Sequence, residues 1–319
     1  MRNQSAITGT GTRQIMRRII SRPCAANATW KLMVAWRLLS VAREEIIGDA
    51  RLILGDCRDI LPTLGKVDAV VTSPPYDAIR DYGEAFKPID CCDVIERLSK
   101  LLNDGGVIVW NVADQTVNGS ETGTSFRQAL HALDCGLRLH DTMIYCKEGV
   151  TFPDNNRYHP AFEYMFVFSL GSPKTFNGIR DWKNKWGGSL MHGTDRLVDG
   201  STKPISQLGN LIPQYGLRRN WWVLSNPYTG ETNGHPAPMP LRLASDHIET
   251  WTEQSDIVAD PFLGSGTTGV ACVKRGRKFI GIEIEPKYFD VACRRIEQAY
   301  KQPDMFIERP SPPKQEAML

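Results

Sequence analysis

Two short stretches carry residues whose types and order could do chemistry. The first, Thr72-Ser73-Pro74-Pro75-Tyr76, follows the apolar run Ala69-Val70-Val71. Neither proline has a backbone N–H and each fixes φ, so a strand cannot continue through them and the nearby carbonyls lack ladder partners. The result is a stiff corner of hydrogen-bond acceptors, a serine hydroxyl among them, with an aromatic ring at its end. The second stretch, Asp260-Pro261-Phe262-Leu263-Gly264-Ser265-Gly266-Thr267, follows Ile257-Val258-Ala259 and leads into a helical pattern. Glycine there lets the backbone approach a ligand closely, with helix N–H groups facing its polar end. Further on, the run Phe279-Ile280-Gly281-Ile282-Glu283 ends in an acid suited to accept hydrogen bonds from a ribose. An adenosine-containing cofactor fits that geometry. Alone, the spacing of Gly264, Gly266 and Gly269 also serves nicotinamide enzymes, or merely packs a helix on a strand.

The flanking pattern says what must position these loops. From about Ile46 the chain alternates: a strand at Leu52–Leu54, a Gly55-Asp56 turn, a short helix ended by Pro62, and the strand before Ser73. Cys91 to Leu102 has apolar residues at helical spacing and reads as a helix ending in Gly105-Gly106. A buried strand to Val112, a helix capped by Thr124 or Ser125, and strands around His140–Lys147 and Ala161–Leu170 follow. A Pro-initiated helix to Trp251, then strand, glycine loop, helix, strand and helix, complete the pattern. Such alternation predicts an α/β fold, a mostly parallel doubly wound sheet with helices on both faces. Between the halves, about fifty residues rich in Gly, Pro and polar side chains are too long for a mere connection. The expected divisions are a basic disordered leader (1–45), a catalytic half (46–170), an insertion (171–232), a cofactor-binding half (233–302) and a disordered Pro-rich tail (303–319).

Taken together, Ser-Pro-Pro-Tyr and Asp-Pro-Phe-Leu-Gly-Ser-Gly-Thr resemble the catalytic and cofactor loops of the DNA amino-methyltransferases, which methylate an exocyclic base amine with S-adenosylmethionine. The resemblance runs from about Ile46 to Tyr300, and its order, catalytic loop first, is the permuted order of the beta class. It implies a Rossmann-like methyltransferase fold in which Ser73, Pro74, Pro75 and Tyr76 are catalytic. It also implies that Asp56, Asp260, Phe262, Gly264, Ser265, Gly266, Thr267 and Glu283 bind the cofactor. Asp56 would meet its adenine amine, and Asp260 its methionine ammonium in preference to simply capping the loop. Met239 departs from the family's usual residues and is given no contact. The amine's lone pair is delocalised into the ring, so the enzyme must orient it and withdraw its protons. Ser73 Oγ and the Pro74 carbonyl would accept them while Tyr76 stacks on a base flipped out of the duplex. Serine rather than aspartate before the prolines leans toward cytosine N4 over adenine N6.

A chain of 319 residues, 41% hydrophobic and 23% charged, can bury a sizeable core, and its net charge of +2 is too small to argue from. The charge is uneven. Met1 to Arg43 contains no acid, and the insertion interleaves Arg180, Lys183, Lys185, Arg218 and Arg219 with Trp182, Trp186, Trp221 and Trp222. That composition follows phosphates and wedges beside bases, and its position matches the family's target-recognition region, although Trp221 and Trp222 would equally suit a core. Double-stranded DNA is the expected partner, with or without a cognate restriction endonuclease. Eight cysteines without zinc spacing point to reduced thiols in the cytoplasm and no metal, and no apolar run approaches a membrane span. RNA base methylation stays open, since stacking a base says nothing of its sugar. A nicotinamide oxidoreductase would have no use for Ser-Pro-Pro-Tyr, and a non-catalytic DNA-binding remnant no reason to keep it.

Overall fold

The computed structural model describes residues 41–76, 89–148, 156–225 and 239–301. The leader up to residue 40 and the tail from 303 lie outside the described residues, as do Asp77, which the sequence offers as an auxiliary acceptor but better as a solvated loop carboxylate, and His235, which suits packing or capping better than catalysis. One sheet organises the molecule. Its strands are β1 (Val41–Ile47), β2 (Ala50–Gly55), β3 (Val67–Thr72), β4 (Leu102–Val112), β5 (Arg138–Lys147), β6 (Phe162–Ser169), β7 (Trp221–Leu224), β8 (Ile257–Asp260) and β9 (Lys278–Glu283). They lie in the order β1-β2-β9-β8-β3-β4-β6-β5-β7. All run parallel except β1 and β6. No helix lies between β5 and β6 among the described residues, so β6 returns antiparallel, as a chain without a crossover must.

Alternation within the buried strands sends side chains to two helical layers. Ala69, Val71, Val107 and Val109 meet α4 (Leu241–Trp251), α5 (Thr267–Arg275) and α6 (Pro286–Lys301). Val70, Ile108 and Trp110 meet α1 (Cys57–Ile60), α2 (Cys91–Leu101) and α3 (Thr124–Asp134) on the other face. Among the described residues, no helix is long and apolar enough to cross a membrane.

Several sequence expectations shift. Among the described residues the sheet begins at Val41, inside the segment expected as leader, because β1 folds back antiparallel on β2 and covers an edge. Gly105 and Gly106 do not terminate a helix: α2 stops at Leu101, and both glycines lie in β4. There Gly105 (φ +73°) donates to the Leu170 carbonyl at 2.7 Å, a bulge that only glycine enters without strain. The cap of α3 comes from neither Thr124 nor Ser125; Asp114 Oδ1 accepts from the Ser125 N–H at 2.9 Å. The insertion is not wholly separate either. It forms small hairpins, Thr194–Arg196 with Thr202–Pro204 and Trp182–Lys183 with Tyr215–Gly216, but its last strand is β7 of the main sheet.

Candidate active site

β3 and β8 are neighbours, so the proline corner and the glycine loop leave the same edge of the sheet side by side. Two hydroxyls weld them. Thr72 Oγ1 donates to Asp260 Oδ1 at 2.6 Å, and Thr268 Oγ1 donates to the Val71 carbonyl at 3.2 Å. Between the loops opens a cleft of about 800 Å³, solvent at its mouth included. Ser73, Pro74, Pro75 and Tyr76 line one side, and Pro261, Phe262, Gly264, Ile282 and Glu283 line the other. Asp56, Arg58 and Tyr288 complete it. Ligand crevices of open α/β sheets lie at such carboxyl ends.

The glycine loop is held in shape from behind. Phe262 N–H donates to Asp260 Oδ1 at 3.0 Å and Leu263 N–H to the Ile282 carbonyl at 2.9 Å. Gly266 sits at φ +82°, where an added Cβ would also come within 2.9 Å of Ala292 Cβ. Gly269 needs its missing side chain for a different reason: a Cβ there would meet Ile296 at 2.4 Å, so the third glycine serves helix packing. Arg295 of α6 donates to Ser265 Oγ at 2.9 Å and to Thr267 Oγ1 at 3.3 Å.

The expected cofactor residues therefore divide. Asp56, Phe262, Gly264 and Glu283 line the cleft, whereas Asp260, Ser265, Gly266 and Thr267 do not and instead shape the loop. Asp260, 3% exposed, has its Oδ1 engaged by Thr72 and Phe262, the loop-capping geometry that the sequence reading ranked second. Burial pushes its carboxyl up to about 6 against those hydrogen bonds. Glu283, 8% exposed, accepts from Gly264 N–H at 2.7 Å and Glu285 N–H at 2.8 Å, and burial raises it to about 7. Asp56 caps α1 through the Arg58 N–H and is clamped by the Arg58 guanidinium, Nη2 to Oδ2 at 2.6 Å, which holds its carboxyl below the ordinary range. The sequence reading missed Arg58, although a capping aspartate two residues before an arginine is a local signal for that pair.

On the other side, Ser73 Oγ and Tyr76 Oη are 2.8 Å apart, and Tyr76 Oη donates to Glu163 Oε2 at 2.9 Å. Asn111 Nδ2 donates to Tyr76 Oη at 2.8 Å and to Glu163 Oε2 at 2.6 Å, and Lys147 Nζ is 2.6 Å from Glu163 Oε1. None of these three supports was singled out from sequence. A polar residue inside a buried apolar strand, Asn111 in β4 and Glu163 in β6, was the available signal.

The insertion's cations also divide. Arg180, Lys183, Lys185 and Arg219 are exposed, Arg219 lying 5.1 Å over the Trp182 ring and Lys185 5.1 Å over Trp186. Arg218 is committed inward, its Nη1 2.6 Å from buried Asp246, with a second ion pair to Asp181. Trp222 is in the core, while Trp221 is exposed with its ring edge-to-face on Trp182.

Residues 67–294 match the family model described as DNA methylase, the N6/N4 group. The chain belongs to that family. The orphan methyltransferase M.BamHII of Bacillus amyloliquefaciens is 45% identical over 251 residues, covering 76% of this chain and 90% of that protein. M.SmaI of Serratia marcescens, a type II methyltransferase, is 25% identical over 294 residues, covering 79% and 92%. Among solved structures, the M1.HpyAVI–SAM complex is 26% identical with a TM-score of 0.53, covering 77% of this chain and 99% of that one. The PvuII cytosine-N4-specific DNA methyltransferase shares the fold at a TM-score of 0.59 and 20% identity, covering 82% and 95%. This DNA methylase is therefore an S-adenosylmethionine-dependent amino-methyltransferase acting on DNA. The cleft fits that cofactor: it has the volume, apolar walls at Phe262, Ile282 and Ile284, and one buried acid with both oxygens on backbone donors.

Proposed function

We propose that this methylase modifies the exocyclic amine of a base flipped out of double-stranded DNA, cytosine N4 ahead of adenine N6. The observation that carries the reading is the single cleft shared by Ser73–Tyr76 and the glycine loop. S-adenosylmethionine, when bound, supplies an electrophilic methyl group. Glu283 would accept the ribose hydroxyls, Gly264 would let the backbone approach, and Phe262 with Ile282 and Ile284 would enclose the adenine. Asp56, already clamped by Arg58, would offer an acceptor to the adenine amine. Asp260, Ser265, Gly266 and Thr267 act by holding the loop. Across the cleft, Ser73 Oγ and the Pro74 carbonyl accept the hydrogens of the target amine and aim its nitrogen, and the Tyr76 ring stacks on the base. Pro75 keeps both acceptors fixed.

Serine before the prolines supports cytosine. The exposed Arg180, Lys183, Lys185 and Arg219, interleaved with Trp182 and Trp221, support an insertion that tracks the phosphate backbone. That a 45% identical relative is named an orphan supports action without a paired endonuclease. The test is nucleoside analysis of DNA treated with purified protein and labelled cofactor. N4-methylcytosine is expected; N6-methyladenine alone would overturn the base assignment, and label in RNA but not DNA would overturn the substrate.

A further inference from the structure

We infer that Glu163, supported by Asn111 and Lys147, is the far end of a hydrogen-bond chain that points the Ser73 hydroxyl away from the cleft and takes up the proton leaving the target amine. The inference rests on the amino-methyltransferase reading above. Its geometry comes from three adjacent strands, β4, β6 and β5, which deliver Asn111, Glu163 and Lys147 to one point beside the proline corner. Glu163 and Asn111 are both buried.

The direction of each hydrogen bond follows from which atoms can donate. Asn111 Nδ2 donates both to Tyr76 Oη and to Glu163 Oε2. Turning the amide over would set its oxygen against the carboxylate, and in the present orientation Asn111 Oδ1 is buried without a partner among the described residues. Glu163 carries a negative charge matched by Lys147 on its other oxygen, so it accepts on all sides. Tyr76 has one proton, and it goes to Glu163 Oε2. Its two lone pairs then face Asn111 and Ser73, so the 2.8 Å contact with Ser73 Oγ is one in which Ser73 donates. With its only hydrogen spent on Tyr76, Ser73 turns lone pairs toward the cleft it lines. A chain ending on a carboxylate polarises that oxygen further.

An arriving amine therefore meets an acceptor of fixed direction. As the nitrogen bonds to the methyl carbon that bound S-adenosylmethionine would give up, the carbon–sulfur pair returning to sulfur, its N–H bond breaks and Ser73 Oγ takes the proton. Ser73's own hydrogen passes to Tyr76 Oη and Tyr76's passes to Glu163, each bonding pair staying on the atom left behind. Three bonds to hydrogen break and three form. The charge ends as a neutral carboxylic acid beside Lys147, to be reset from solvent between turnovers. Glu163, Asn111 and Lys147 are positioning residues, since they act through Tyr76 and Ser73.

Two substitutions test the chain: Tyr76→Phe deletes one oxygen and keeps the ring, and Glu163→Gln deletes the charge and keeps the shape. Calorimetry should show S-adenosylmethionine bound within about three-fold of wild type by both, while single-turnover transfer to DNA falls about 100-fold or more. The double variant should be no slower than the worse single, and in cofactor-free protein the shifts in the urea midpoint should fail to add. Transfer within about three-fold of wild type in either single variant, or losses that multiply in the double, would overturn the chain. Should Glu163→Gln not fold because Lys147 is left alone, Tyr76→Phe, which keeps the Lys147–Glu163 pair, decides by itself. If wild type binds cofactor but methylates no DNA, the functional reading fails instead, and additive stability shifts would still overturn the chain on their own.

Discussion

Replacing Glu283 by Gln gives the most quantitative test of how the cleft is built. Its two oxygens accept from backbone donors at 2.7 and 2.8 Å. The amide must turn its NH₂ toward one of those donors, a clash worth about 1–3 kcal/mol at any pH. Superimposed is a pH-dependent part. Burial lifts the carboxyl from 4.5 to about 7, so its ionised form is disfavoured by roughly 3 kcal/mol. For an acid raised in the folded state, the contribution to stability is full below the unfolded value and is lost as pH rises through the folded one. Integrated from pH 5 to pH 8, wild type should lose about 2.5 kcal/mol through this residue, a loss the Gln variant does not share. Asp260, raised to about 6, adds a slope of the same sign to both proteins and cancels in the difference apart from its Coulombic coupling to Glu283. Urea unfolding of the cofactor-free protein at several pH values measures the gap, which should narrow with rising pH. A gap that is flat between pH 5 and 8 would refute the assignment of Glu283 as a buried, readily protonated acid. On the proposed role of the Glu283 carboxylate as acceptor for the ribose hydroxyls, S-adenosylmethionine should also bind about tenfold more weakly at pH 6 than at pH 8, and the variant should lose that dependence.

Other perturbations follow from the same contacts. Thr72→Val strips a 2.6 Å donor from Asp260 and should destabilise by about 1–3 kcal/mol, more at pH 8 than at pH 5, because the ionised carboxylate needs the donor most; equal losses at both would count against it. Arg218→Ala removes the 2.6 Å ion pair to buried Asp246 and should cost about 3 kcal/mol in urea unfolding, whereas a pure DNA contact would leave stability untouched. Lys183→Ala and Arg219→Ala should each lower the slope of log DNA affinity against log salt by about one without altering cofactor binding, as measured by fluorescence anisotropy over a salt series.

How much of this was legible beforehand depended on whether a residue's role is local. The proline corner and the glycine loop announce themselves because their conformations are forced by their own residues, and the strand-helix alternation carries the parallel core. What the sequence hides is partnership across the sheet. Asp260 looks like a ligand residue until Thr72, 188 positions away, is seen to engage it. Arg218 and Arg219 are indistinguishable in a string, yet one reaches inward to Asp246 and the other lies over Trp182. Gly105-Gly106 mimics a helix terminus because glycine marks any left-handed residue, whether it closes a helix or kinks a strand. Glu163 and Asn111 drew no notice because apolar neighbours on both sides make a strand read as core alone.

The order of strands also dictates how the molecule must be assembled. β2 and β3 come early in the chain but are separated by β9 and β8, which are made only after β7. Until β8 and β9 have left the ribosome, both early strands face an empty slot two strands wide, bordered by unpaired backbone and apolar side chains. Closing that slot requires contacts between distant parts of the chain, so folding should be slow and must wait for β8 and β9. A product truncated before Ile257 would keep the proline corner yet expose two sticky edges, and a separately made fragment carrying β8, α5 and β9 is the natural piece to fill them.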